Sequence, residues 1–222
     1  MKKNLTIAAA LLAITLPLTA QNWSVGVHSG PFVFGDFVER KVRLITGGAL
    51  PSEPITMTLS AETSPGFAID IQRDFSERWG LRLEGTATRA HVQLKEEGDE
   101  SFTFDSGELN VVTFTLPLVF RINPKGTFRF HLMGGPAYAM YEFEPPAHSG
   151  PIPIEARQKN EWGAALGGGV GWWIRDRFGI EGTITDIVTT SPFDRDEFPD
   201  VPGFTIPKPH NVHTTVGVRW RF

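Results

Sequence analysis

From Asn211 to Phe222 the chain alternates without a break. Val212, Thr214, Val216, Val218, Trp220 and Phe222 share one face, and Asn211, His213, Thr215, Gly217, Arg219 and Arg221 the other. A period of two marks an extended strand whose two faces meet different surroundings. An apolar face that ends in two aromatic rings suits hydrocarbon bordered by an aromatic girdle, and the arginines suit a polar interior. A strand of this kind satisfies its backbone in lipid only as one stave of a closed barrel.

The same alternation recurs along the chain. Trp23, Val25 and Val27 oppose Ser24, Gly26 and His28. Phe67, Ile69 and Ile71 oppose Ala68, Asp70 and Gln72. Trp79, Leu81 and Leu83 oppose Arg82, Glu84 and Thr86. Further strands are read at Val111–Ile122, Thr127–Glu144, Trp162–Ile174 and Phe178–Thr185. Pro117 lacks a backbone donor, so a bulge or irregularity is expected in its strand. Turn formers sit at Ser76–Arg78, Asn123–Gly126 and Arg175–Arg177, whereas residues 36–62, 95–110, 145–159 and 188–209 are long polar connections. The first of these reads as a hairpin, or as extended strand ends above the membrane, around Val38–Ile45. The reading is an all-β fold: an eight-stranded antiparallel transmembrane barrel with three short periplasmic turns and four long extracellular loops.

Lys2 and Lys3, the apolar run Leu5–Leu18 and the small residues Thr19 and Ala20 read as a secretory signal peptide over residues 1–20. The barrel domain is then 21–222. Losing the two lysines takes the formal charge from −4 to −6, which argues against a nucleic-acid partner. With no cysteine, thiolate metal sites, disulfides and lipoprotein acylation are excluded. No cofactor or metal is expected.

The segment Trp162, Gly169, Trp172, Trp173, Arg175, Phe178, Gly179, Glu181 and Asp186 resembles the penultimate hairpin of the OmpA/OmpX-like small outer-membrane barrels. Leu132–Tyr141 resembles the strand before it. The terminal Val218, Trp220 and Phe222, spaced by Arg219 and Arg221, resemble the signal read by the barrel-assembly machinery. The resemblance implies a fold without catalytic residues and a bacterial outer-membrane location. It implies outer-membrane lipid and lipopolysaccharide as surroundings, and a monomer. The peptidoglycan-binding domain of full-length OmpA-type proteins is expected to be absent.

Four groups of side chains are candidates for function. Inward charges at Asp70, Arg82, Glu84, Arg129, Glu181, Arg219 and Arg221 form either a lumen-filling network, with Glu181 and Arg219 paired, or a gated polar path. Small residues at Gly135, Ala137, Ala139, Ala165, Gly167 and Gly169 leave room either for a larger side chain or for an apolar ligand, as in OmpW-like barrels. His213 with Thr215, His28 with Ser29 and His148 with Ser149 could serve a hydrolase acting on lipid A, but no spacing enforces a base beside a nucleophile. Acidic residues Glu96, Glu97, Asp99, Glu100 and Asp105, and Asp194, Asp196, Glu197 and Asp200, are solvated loop charge or a divalent-cation bridge to lipopolysaccharide. The leading expectation is a non-enzymatic, structural or surface-interacting barrel. A narrow channel or carrier for small apolar solutes is the alternative, and a lipid A-modifying enzyme the third.

Overall fold

The computed structural model describes residues 23–42, 55–97, 102–146, 155–175, 177–193 and 204–222. The signal peptide, Asp99, Glu100, the His148–Ser149 pair and the Asp194–Asp200 cluster lie outside the described residues.

Eight staves close on one another in antiparallel register. They are β1 (Trp23–Val33), β4 (Ser64–Asp74), β5 (Trp79–Glu97), β6 with β7 (Phe102–Thr115 and Leu118–Arg121), β8 (Phe128–Glu144), β9 (Arg157–Arg175), β10 (Phe178–Val188) and β12 (His210–Arg221). The terminal stave pairs with the first, Trp220 opposite Val25 and Val218 opposite Val27. β6 and β7 are one stave broken at Leu116–Pro117, where Arg82 N–H donates to the Pro117 carbonyl at 3.0 Å instead of to a regular ladder. Three further segments, β2 (Asp36–Val42), β3 (Ile55–Ala61) and β11 (Phe204–Thr205), extend the wall beyond the barrel's loop end. The insertion after β1 is therefore a hairpin, and β3 pairs with the upper half of β5 from Ala61–Val92 to Thr56–Glu97.

At the turn end, outward aromatic rings pack in pairs: Trp79 with Phe120 at 4.8 Å, Phe178 with Trp220 at 6.3 Å and Phe128 with Trp172 at 6.4 Å. Tyr138 and Trp162, 4.9 Å apart, stand outward nearer the loop end. Between these levels the outer surface is Val27, Phe67, Ile69, Leu83, Phe114, Leu132, Leu166, Ile184 and Val218, all exposed. Such a surface is stable only in hydrocarbon. Val27 lies opposite Ile69 and Val218 in this band. Val27→Arg is expected to lower unfolding stability in liposomes by about 2–4 kcal/mol, the penalty of a midplane arginine, while Val27→Leu is neutral. Equal urea midpoints for the two variants would show that this face does not meet lipid.

The alternation does not keep one meaning along the stave. On β5 the outward residues run Leu81, Leu83, Gly85, Ala87 and then Arg89, His91, Gln93, Lys95; the inward ones run Arg82, Glu84, Thr86, Thr88 and then Ala90, Val92, Leu94. β6 makes the same exchange, from outward Phe114 and Val112 to Asn110 and Glu108 as inward Thr115 and Thr113 give way to Val111 and Leu109. A strand needs about 9–11 residues to cross a bilayer. With 19 residues each, β5 and β9 outrun that need, so the upper wall stands in water and its apolar face turns inward. The interior is therefore ionic toward the turns and apolar toward the loops.

Candidate functional site

The lumen is filled in layers. In the turn-end half, Asp70 on β4 stands opposite Glu84 on β5, and both meet arginines. Arg219 on β12 donates from Nε to Glu181 Oε2 at 2.8 Å, from Nη2 to both Asp70 oxygens at 2.8 and 2.9 Å, and from Nη1 to Ser24 Oγ at 3.1 Å. Arg82 Nη2 donates to Glu181 Oε1 at 2.8 Å, and its Nε to Gln72 Oε1 at 3.0 Å. Glu84 Oε2 is 3.9 Å from Arg82 Nη1, and His28 Nε2 is 2.8 Å from Asp70 Oδ2. Glu181 thus ties two guanidinium groups together, and each planar fork is held on several of its donors. All five charged side chains are buried. A Cβ at Gly26 would fall 2.3 Å from Asp70 Oδ2 and 2.4 Å from His28 Nε2, so the ionic cluster requires glycine there.

Arg129 and Arg221 do not join that cluster. They lie a layer nearer the turns, on the Trp173 ring at 4.7 and 4.6 Å. Arg221 Nη2 is also 3.5 Å from Asp74 Oδ2, and Arg121 pairs with the same carboxylate. Between the two layers, Arg82, Arg121, His131 and Trp173 line a cavity of about 20 Å³, room for one water.

Above the ionic cluster comes a belt of hydroxyls. Thr86 bonds Thr113, Thr183 bonds Thr215 at 2.8 Å, and Tyr141 bonds both Thr189 at 2.7 Å and the Asn211 amide at 3.0 Å. Higher still lies an apolar core of Phe32, Leu59, Val92, Leu109, Phe143 and their neighbours. Phe37 at the start of β2 and Phe193 beyond β10 cork it, their rings 5.8 Å apart, and Phe193 meets Phe143 edge-on at 5.5 Å. Ser191 fastens the cork, donating from Oγ to the Phe37 carbonyl at 3.0 Å.

The small residues adjoin occupied space. Ala137 and Ala165 pack with Ile187, and Ala139 joins the core that holds Tyr141. A Cβ at Gly135 would meet the Leu116 carbonyl oxygen at 2.4 Å, where the broken stave crowds in. At Gly167 it would meet the Ile184 carbonyl oxygen at 2.5 Å and Met133 Cε at 3.0 Å, and at Gly169 the His131 ring at 2.8 Å. Nor do the two histidine pairs among the described residues form a nucleophile and base. His28 faces the lumen while Ser29 faces outward. The hydroxyl of Thr215 is engaged by Thr183, and His213 stacks on Phe32 at 4.8 Å with no hydrogen-bond partner for either ring nitrogen among the described residues.

Alternation alone identified the inward charges, but Ser24, Gln72 and His28 as their partners needed the register, and the cork needed the loops. No family model and no curated protein matches the sequence. Solved structures with 9–12% identity share the architecture, among them the following two. One is the outer-membrane protein OprG from Pseudomonas aeruginosa, at TM-score 0.57 and 12% identity over 91% of this chain and 96% of that one. The other is Neisserial surface protein A, at TM-score 0.51 and 9% identity over 90% and 97%. The chain has the fold of the small eight-stranded outer-membrane β-barrels.

Proposed function

We propose that this is a sealed, non-enzymatic barrel of the bacterial outer membrane, exported on a signal peptide cleaved after Ala20. Its turns and termini face the periplasm, and it carries out its role through the β-wall and loops that stand outside. The observation that carries this reading is the continuous filling of the lumen, from Trp173 and its two arginines through the Arg82–Glu181–Arg219 cluster to the Phe37–Phe193 cork. Barrels of eight strands enclose an interior that side chains fill. The outer wall offers structured partners of mixed charge: Arg89, held by Glu108, and an exposed His210–Asp186 pair at 2.7 Å. The name of one structural neighbour, a surface protein, fits the same placement. Among the described residues, neither a solute path nor a nucleophile beside a base supports the carrier or hydrolase alternatives.

The test is conductance in a planar bilayer. The purified, heat-modifiable barrel is expected to be silent in molar salt at both polarities. Steady open events, with the barrel folded, would replace this reading by a pore.

A further inference from the structure

On the outside of the barrel, the apolar band has a notch. It lies where β5 presents Gly85 between Val25, Ile69, Ile71, Leu83 and Phe114, and it measures about 310 Å³. The notch is built into the wall: a Cβ at Gly85 would meet only the Phe114 ring, at 3.5 Å. Gly85 is six residues up β5 from Trp79 of the turn-end girdle, about 15 Å along the membrane normal for a tilted strand. That is mid-membrane, and the notch is continuous with the lipid-facing surface. Two convex barrel walls meet along a line and would leave such a hollow empty, whereas a flexible hydrocarbon chain can enter it. Its volume equals about ten water-sized volumes of roughly 30 Å³, enough for much of one acyl chain.

Charge decides which leaflet that chain comes from. Directly below the notch, on the same outward column of β4 as Ile69 and Ile71, Arg73 lays its guanidinium over the Trp23 ring, 5.5 Å from the centroid. Above the notch, the outward wall carries Glu108 and Glu144 against Arg89. Arg89 and His91 above are occupied by these carboxylates, whereas Arg73 has no ion pair among the described residues and is left for a phosphate. Arg73 pairs with Leu81, four residues below Gly85, so about 13 Å along the strand, or roughly 10 Å along the membrane normal, separates its backbone from the notch. One leaflet's acyl layer is about 15 Å thick. We infer that a glycerophospholipid of the inner leaflet docks on β1, β4, β5 and β6, its phosphate on Arg73 and one acyl chain in the Gly85 notch.

This inference rests on the proposed orientation, with the turns at the inner leaflet. The full barrel is equilibrated in detergent with phosphatidylglycerol, and in a separate arm with lipid A, then stripped and weighed by native mass spectrometry. One phosphatidylglycerol is expected to remain per barrel. Gly85→Phe, which fills the notch, and Arg73→Glu, which reverses the charge, are each expected to cut retention about tenfold, with heat-modifiability unchanged. Arg73 does not line the notch, so its variant decides the matter if Gly85→Phe does not fold. Undiminished retention in Arg73→Glu would overturn the inference. So would lipid A held in place of phosphatidylglycerol, which would also invert the orientation, or a barrel dimer that Gly85→Phe dissolves.

Discussion

Replacing Arg219 by Ala should cost about 3–5 kcal/mol of unfolding free energy, the penalty for removing one partner from a buried ion cluster. The side chain is 2% exposed and donates to Glu181, Asp70 and Ser24, so its loss strands two carboxylates that then face Arg82 and the imidazoles of His28 and His131. Urea titration of the refolded barrel in liposomes measures this directly. Arg219→Lys should fall between wild type and Ala, because a single ammonium keeps the charge but cannot span three partners at once. The double variant Arg219→Ala/Glu181→Ala should cost less than the sum of the singles by about 0.5–3 kcal/mol, as coupled neighbours do. A loss near zero for Arg219→Ala would mean that water screens the cluster and that the lumen is open at this level.

That such a cluster exists was legible from alternation, because a charged residue facing a barrel's interior must find an opposite charge. Its membership was not. Gly179, not Glu181, stands opposite Arg219, and the guanidinium reaches Glu181 diagonally across two residues. Arg129 and Arg221 share the inward face with the rest, yet both lie on the Trp173 ring a layer nearer the turns, where Arg221 meets Asp74. Period-two reasoning fixes a face but leaves depth around the barrel free, and depth decides which charges meet.

The polarity exchange on β5 is a different kind of miss. The residues Arg89, Ala90, His91, Val92, Gln93, Leu94 and Lys95 carry it in plain alternation, in phase with Leu81 and Arg82 below. Read only as the end of a membrane strand before the connection at 95–110, they do not show the exchange. Read as the same strand leaving the bilayer, they show outside and inside exchanging solvents. The small residues of β8 and β9 left two readings open, a filled space and a pocket. Side-chain volume at one position says nothing until its cross-strand neighbours are known, and here β8 itself supplies Met133 and His131 beside Gly167 and Gly169, and Tyr141 in the core that Ala139 joins.

The exchange makes the two halves of the lumen separable, and Phe37 tests this. Its ring is fully buried at the loop end, against Phe34 at 6.3 Å and Phe193 at 5.8 Å. Phe37→Ala should remove about 3–5 kcal/mol from the packing of the upper core, as large-to-small changes in closed cores do. The loss should stay local, because the bilayer-spanning part of each stave is fixed by lipid outside and by the ionic cluster inside. Limited proteolysis is therefore expected to cut the loop end of the variant at least tenfold faster, while the heat-modifiable core fragment survives. Conductance should stay silent, since the Arg82–Glu181–Arg219 layer closes the lumen beneath the cork. If Phe37→Ala alone conducts, the cork is the only seal and the ionic layer is a passable filter. If the whole barrel unfolds with the cork, the two layers are one cooperative unit.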